Sequence, residues 1–381
     1  MTYGASKSLP TNLPITIRQC FNKADIEEFI EFPFRLYNSH PFFSPLLRRV
    51  QRVHFSADNP FYKRNIVRFY VAKRGKRVVG RIASIVNYNH LDYHRDSTGF
   101  FGFFESEDDP EVASALLAQV EEDLKAAGLQ RMLGPMSFST NEVCGVLIEG
   151  FNEPPMLMMP YNPTYYDQLL ISVGLKKAKD LFAYIYELQE HLPEKVCRVA
   201  DIAERRGIKV RKISKKGFMD DMRLFKQVYN SAWASNWCFV PITDEELDFT
   251  AKELKTIVNE DIVAIAEFHS RPIGFLGIIP DFNPVLRAMG GRLNPFTLIK
   301  ALYAARKISA GRLLLFGIVP QYRNKGVDAL LFREVHKVLI KTGIKRVEFS
   351  WILEDNIPTI NMAEFFGGVL YKKYRIYEKL L

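Results

Sequence analysis

The chain has 381 residues, 48% of them hydrophobic and 25% charged, with a net charge of +9. That length exceeds one comfortable core and suits two, and the composition is that of an ordinary globular protein rather than a disordered one. The basic residues are scattered among acidic ones, with no Lys/Arg tail and no zinc-finger or RNA-binding signature, so nucleic acid is not an expected partner.

Four cysteines (Cys20, Cys144, Cys197, Cys238) lie far apart and form no CxxC pair, which argues against a zinc site and against a disulfide-stapled secreted chain. The N-terminal stretch lacks the apolar core of a signal peptide, and no apolar run reaches membrane-spanning length. The expected compartment is the reducing cytoplasm.

In chain order, residues 67–87 predict strand, short polar turn, strand, with Gly80 in the second strand. His90 and His94 are four apart, a spacing that would share a helix face and suit a metal, but the surrounding Asn, Asp and Tyr residues read as a loop. No metal is expected. Phe101–Glu105 is an apolar strand feeding the acidic turn Ser106–Asp109. A helix then starts after Asp109-Pro110, a cap followed by proline at the first helical position. Its stripe Val112, Leu116, Val120, Leu124 ends at Gly128, and the strand Leu129–Leu133 follows. Asn141, Tyr161, Asn162, Tyr165 and Tyr166 make a polar and aromatic set. The alternative for these residues is turn capping and core packing. Cys144 has no histidine near it in sequence and is a weak candidate nucleophile.

Residues 194–206 predict a charged helix ending at Gly207, and 208–213 a strand. The pattern then repeats. Residues 263–283 again read strand, turn, strand, with Gly274 in the place of Gly80. After an insert at 284–311, whose 295–307 stretch predicts an amphipathic helix, comes the strand Leu313–Pro320. That insert helix would cover a site, pack on the other copy or lie on a membrane surface. Twenty-six residues separate Gly102 from Gly128, and the same number separates Gly317 from Gly343. The match supports two copies of one fold, over 1–195 and 205–381, each a mixed α/β sheet with a right-handed crossover helix.

The most informative segment is Gln321-Tyr-Arg-Asn-Lys-Gly326, a basic turn between a buried strand and a helix N-terminus. Free backbone N–H groups at such a turn can hold a phosphate, with Arg323 and Lys325 adding charge. The alternative is a solvated charged turn.

On these residues the chain resembles the GCN5-related N-acetyltransferase superfamily, and both halves resemble it, as in bacterial proteins with tandem acetyltransferase-like domains. In that superfamily a mixed sheet splits after its fourth strand, acyl-CoA enters the split, and its diphosphate rests on an Arg/Gln-x-x-Gly-x-Gly/Ala loop. Here Arg323-Asn324-Lys325-Gly326-Val327-Asp328 matches at Arg323 and Gly326, with Val327 following as is common and Asp328 replacing the small last residue. The backbone of the preceding strand, at Ile318 and Val319, would pair with the pantetheine arm. Near a helix N-terminus Asp328 is a favourable dipole partner facing solvent; turned inward it would repel a diphosphate.

The resemblance implies transfer of an acetyl or other acyl group from acetyl-CoA, or another acyl-CoA, to an amine of a small molecule or peptide, by a monomer or homodimer. Two alternatives are a catalytically inactive scaffold of the same fold and a long-chain acyl or aminoacyl transferase. The last of these predicts a long apolar groove lined by 296–306. The first copy, whose fourth strand runs into Ser106-Glu-Asp-Asp109 instead of a basic loop, is expected to hold no cofactor. Asn356 resembles an asparagine often found after the fifth strand, and Glu354 is the candidate base. Glu348, between apolar Val347 and Phe349, points either to the other face of the sheet or to solvent. Trp233 and Trp237, four apart, would wall an acceptor pocket if one helix carries both, joined by Asn141 and Tyr166 of the first copy. Phe365 and Phe366 stand where the superfamily's acidic tyrosine is expected, which leaves the general acid unassigned.

Overall fold

The computed structural model describes residues 13–254 and 260–381. The first copy comprises β1 (Ile15–Gln19), α1 (Lys23–Leu36), α2 (Arg48–His54), β2 (Ile66–Arg74), β3 (Arg77–Val86), α3 (Tyr88–His94), β4 (Thr98–Ser106), α4 (Pro110–Ala126), β5 (Arg131–Gly134), β6 (Val146–Glu149), α5 (Tyr166–Ser172) and β7 (Lys176–Glu187). After α6 (Glu194–Arg205) the second copy runs through β8 (Lys209–Lys212), α7 (Phe218–Ala232), α8 (Asp244–Leu254), β9 (Val263–Phe268), β10 (Arg271–Pro280), α9 (Asn283–Met289), α10 (Pro295–Ala305), β11 (Ala310–Ile318), α11 (Val327–Thr342), β12 (Arg346–Leu353), α12 (Ile357–Phe365) and β13 (Val369–Leu380).

The local signals act as their chemistry dictates. Asp109 accepts the Glu111 N–H at 2.9 Å to cap α4, with Pro110 in the first turn, and Val112, Leu116, Val120 and Leu124 are all fully buried. Asn294 and Thr297 form a reciprocal capping box at the start of α10. Gly343 closes α11 in the left-handed conformation, φ +78°. The stretch around His90 and His94 is the helix α3 rather than a loop, because Asn87 caps it by accepting the His90 N–H at 3.0 Å. Its two histidines face different partners. His90 Nε2 lies 3.3 Å from Asp96 and His94 Nε2 2.7 Å from the Phe239 carbonyl, and no metal-holding cluster occurs among the described residues.

All strands join one sheet in the order β1-β2-β3-β4-β5-β13-β7-β12-β11-β10-β9-β8, with β6 pairing β13. The two copies do not divide cleanly at 195/205. The last strand of the second copy, β13, pairs antiparallel with β5 of the first; the last strand of the first, β7, pairs antiparallel with β12 of the second. β13 and β7 pair with each other at the centre. Each half therefore completes its sheet with a strand of the other. A periodic apolar pattern specifies a strand but not its neighbour, so this exchange leaves no trace in the sequence.

Both copies carry a parallel pair that starts to form and then parts. β4 and β5 pair only from Thr98/Arg131 to Phe100/Leu133, and β11 and β12 only from Ala310/Arg346 to Leu313/Phe349. Beyond those points the copies differ. In the first, the Met136 N–H donates to the Phe101 carbonyl at 2.8 Å, and a Cβ on Gly102 would sit 2.1 Å from the Met136 carbonyl oxygen, so the gap is bridged by backbone. In the second, the carbonyl 215 positions on, that of Phe316, accepts instead from the Trp233 indole Nε1 at 2.9 Å.

Candidate active site

A cavity of about 670 Å³ lies between the copies and runs into the split of the second. One wall comes from the first copy: Phe34, Tyr37, Val50, His54, Phe55, Phe103 and Phe138. The other comes from α7 and its C-cap (Met222, Phe225, Tyr229, Trp233), from α8 (Leu247) and from Leu313–Phe316 and Phe349–Leu353, where β11 and β12 separate. Asn356 and Met362 close that end. Size and lining are those of a small-molecule site with a few fixed polar groups.

The phosphate-type turn follows the end of β11, past the stretch where that strand has parted from β12. Gly326 is left-handed at φ +79° and is the N-cap of α11; a Cβ there would stand 2.8 Å from the Val199 carbonyl oxygen of α6. Glycine is therefore required both for its conformation and for its contact. The backbone N–H groups of Asn324, Lys325 and Gly326 have no hydrogen-bond acceptor among the described residues. Arg323 is exposed but anchored, donating from Nη2 to the Ala232 carbonyl at 2.7 Å and from Nε to that of Ile318 at 3.4 Å. Lys325 Nζ stands 5.0 Å over the Tyr322 ring. Val327 is fully buried, and Asp328 in the first turn is half-buried.

Several expected residues are placed otherwise. The backbone of Ile318 and Val319 is already committed: the Ile318 carbonyl accepts from Arg323, and Val319 donates to Ile273 and accepts from Tyr322, both at 2.9 Å. The strand edge that the cavity reaches is Leu314–Phe316. Glu354 does not line the cavity. Its carboxylate accepts from Lys177 at 2.6 Å and from the Asp180 N–H at 3.0 Å, tying β12 to β7 as Asp355 does through Lys179. Trp233 and Trp237 do not share a helix face, because α7 ends at Ala232 and Trp233 is its C-cap. Trp233 lines the cavity. Trp237 packs into the core of the first copy, with Lys179 5.8 Å over its ring.

Asn356 caps α12 through the Thr359 N–H and faces the cavity. Its counterpart 215 positions earlier, Asn141, also lines the cavity and joins the copies, accepting from the Tyr229 hydroxyl and donating to the Val240 carbonyl at 3.3 Å. Tyr166 touches the cavity, but its hydroxyl is spent, donating to Glu105 at 2.8 Å and accepting from the Ser106 N–H at 2.9 Å. Tyr37 also donates to Glu105, so both hydroxyls are held by the one carboxylate. Burial raises the Glu105 carboxyl, while Arg81 opposes the rise. In the acidic turn beyond, Arg74 pairs with Asp109 and Arg77 with Glu107. Cys144 is buried, and that burial pushes its thiol up to about 12, which disfavours the thiolate that a nucleophile needs.

One cluster is not apparent from the sequence beyond Glu348 itself. Glu348, fully buried on β12, accepts from the Ser350 and Tyr371 hydroxyls. Arg312, on the adjacent strand in register with Glu348, donates to Ser350 Oγ at 2.8 Å and to the Leu157 carbonyl at 2.9 Å. Its guanidinium is 3.9 Å from the Glu348 carboxylate. Arg312 and Ser350 line the cavity where the strands part. The signal was the alternation itself: a carboxylate between two core residues faces the opposite side of the sheet, which here is buried by the other copy. His54 adds a ring to the cavity wall, lowered to about 4 by burial and therefore neutral at pH 7.

No family model matches the chain. It is 32% identical over 369 residues to Protein YghO of Escherichia coli, covering 95% of each chain. It is 30% identical over 379 residues to the bacterial ceramide synthase of Caulobacter vibrioides, covering 97% of this chain and 99% of that one. Among solved structures it resembles a tandem GNAT protein from the clavulanic acid biosynthesis pathway (12% identity, TM-score 0.57, covering 96% of this chain and 98% of that one). A GCN5-related N-acetyltransferase from Sphaerobacter thermophilus gives 14% identity and TM-score 0.53, covering 98% and 97%. The chain belongs to the family that holds YghO and the Caulobacter ceramide synthase, and it has the tandem fold of the GCN5-related N-acetyltransferase superfamily.

Proposed function

We propose that this chain joins a fatty acyl group, delivered as its CoA thioester, to the amine of a long-chain amino alcohol. The observation that carries this reading is the apolar cavity of about 670 Å³ that opens into the split of the second copy. Acetyl transfer needs no such space. A ceramide is the amide of a fatty acid with a long-chain amino alcohol, and a relative at 30% identity over nearly its whole length bears the name ceramide synthase. The insert 296–306 does not line the cavity; Leu286 of α9 does.

In this reading Arg323 and the N–H groups of Asn324–Gly326 take the diphosphate, and the edge Leu314–Phe316 takes the pantetheine. The thioester supplies the activated carbonyl. The amine nitrogen forms the new C–N bond as the C–S bond breaks; the thiolate leaves and takes up a proton. The ammonium must first lose a proton, and Ser350 presents to the cavity a hydroxyl backed by the Glu348 carboxylate, a relay for that proton. Arg312 fixes the relay by holding Ser350.

Incubation with palmitoyl-CoA and sphinganine is expected to yield the N-palmitoyl amide, detected by mass spectrometry, at a kcat/KM at least about tenfold above that for acetyl-CoA. Preference for acetyl-CoA would overturn the long-chain reading. Absence of any CoA binding would favour an inactive scaffold, for which the Trp233 bond to the Phe316 carbonyl already speaks. Gly326→Ala is expected to weaken CoA about tenfold or more by calorimetry, since an L-residue strains the left-handed turn by about 1–2 kcal/mol and its Cβ would push on Val199. Unchanged affinity would show that the turn is not the grip.

A further inference from the structure

Helix α10 is built inside out. Its inward side carries small residues, Thr297, Ala301 and Ala304, of which Ala301 is the buried one. Its bulky apolar residues face out: Phe296 is 80% exposed, Ile299 67%, Tyr303 63% and Leu302 59%. A core-packed helix shows the reverse pattern, and a contiguous apolar face of this kind marks a binding surface.

The charge around that face identifies its partner. No Asp or Glu occurs between Asp281 and Asp328. Arg292, Lys300, Arg306 and Lys307 are exposed around α10, and none has an ion-pair partner among the described residues. Elsewhere the surface cations are commonly paired, as Arg52 is with Glu27 and Arg77 with Glu107. Apolar residues with aromatics on one side and unneutralised Lys/Arg around them suit an anionic bilayer surface.

The position is also suited to lipid exchange. The turn between α9 and α10 is fastened to the cavity wall, since the Arg48 N–H donates to the Gly291 carbonyl at 3.1 Å and a Cβ on Gly291 would lie 2.3 Å from the Phe34 ring. Phe34 and Leu286 line the cavity, and so does Leu46, which is 49% exposed and two residues from Arg48.

We propose that α10 seats the protein on anionic membrane surfaces, with the cavity mouth beside it. This does not rest on the reaction proposed above, because the test contains no CoA. The full chain is expected to float with vesicles of phosphatidylglycerol and phosphatidylcholine and to bind pure phosphatidylcholine vesicles at least about tenfold less. Phe296→Ser with Ile299→Ser and Leu302→Ser should cut the anionic binding by a similar factor. Because these side chains are exposed, the melting temperature should stay unchanged. Lys300→Glu with Lys307→Glu should abolish the preference for anionic lipid. Equal flotation of the triple variant would overturn the proposal. So would a wild-type dimer in sedimentation that the triple variant turns into monomer without any vesicle binding, since a second copy would then be what covers the face.

Discussion

Truncation of the chain before Val369 is expected to unfold the first half, although every residue removed belongs to the second. β13 lies between β5 and β7, both of the first copy, and also holds β6. It contributes Tyr374, Ile376 and Tyr377, each fully buried. Tyr374 and Ile376 pack in the cluster that contains Leu133, Leu147 and Leu181, and Tyr377 in the one that contains Met132 and Val146. At about 1.5–3 kcal/mol for each large apolar side chain taken from water, these three alone supply about 5–9 kcal/mol. That compares with a whole-domain stability of about 5–15 kcal/mol. The polar links go as well: Arg375 to Asp180 at 2.8 Å and Tyr377 to Asp167 at 2.5 Å. A fragment ending at 368 should lose near-ultraviolet circular dichroism and become protease-sensitive throughout, and the isolated 1–195 fragment should do the same. A protease-resistant, cooperatively melting 1–195 fragment would mean that the copies are independent.

The strand exchange also explains which features were legible. Gly102/Gly128 and Gly317/Gly343, the stripe of α4, and the turn at Arg323–Gly326 are local, and local periodicity, capping and spacing express them directly. The duplicated fold could be read from them. What could not be read is whatever depends on a neighbour distant in sequence. By spacing alone Glu354 is a carboxylate just after the fifth strand, and only the pairing of β7 with β12 brings Lys177 to it. Trp237 looked like a helix partner of Trp233 until α7 ended at Ala232 and the chain turned toward the first copy. Glu348 has two faces open to it, and only the arrival of the 150–157 segment, whose Leu157 carbonyl accepts from Arg312, and of Tyr371 on that side of the sheet decides that it is buried. The residues that line the cavity take their surroundings from both copies, which is why the split and the turn are legible in the sequence and the cavity is not.

That dependence makes Glu348 the residue whose loss should cost most among single substitutions. Its carboxylate is fully buried, with Arg312 also buried beside it, and burial lowers the Arg312 pKa while Glu348 acts to raise it. Glu348→Ala leaves a guanidinium in the interior with only Ser350 and backbone carbonyls as partners, and it removes the acceptor of the Tyr371 hydroxyl. Breaking one side of a buried ion pair costs about 3–5 kcal/mol, whereas replacing both sides by apolar groups of similar volume is far milder. Arg312→Met combined with Glu348→Leu is therefore expected to recover most of the stability lost by Glu348→Ala, as read by urea midpoints at unchanged m-value. The same double variant separates structure from chemistry. It restores the fold but leaves Ser350 without a carboxylate to receive a proton, so turnover of palmitoyl-CoA with sphinganine should stay at the level of the single variant. If activity returns with stability, the cluster holds the sheet together and takes no part in moving the proton; if stability alone returns, the cluster of Ser350, Glu348 and Arg312 belongs to the reaction.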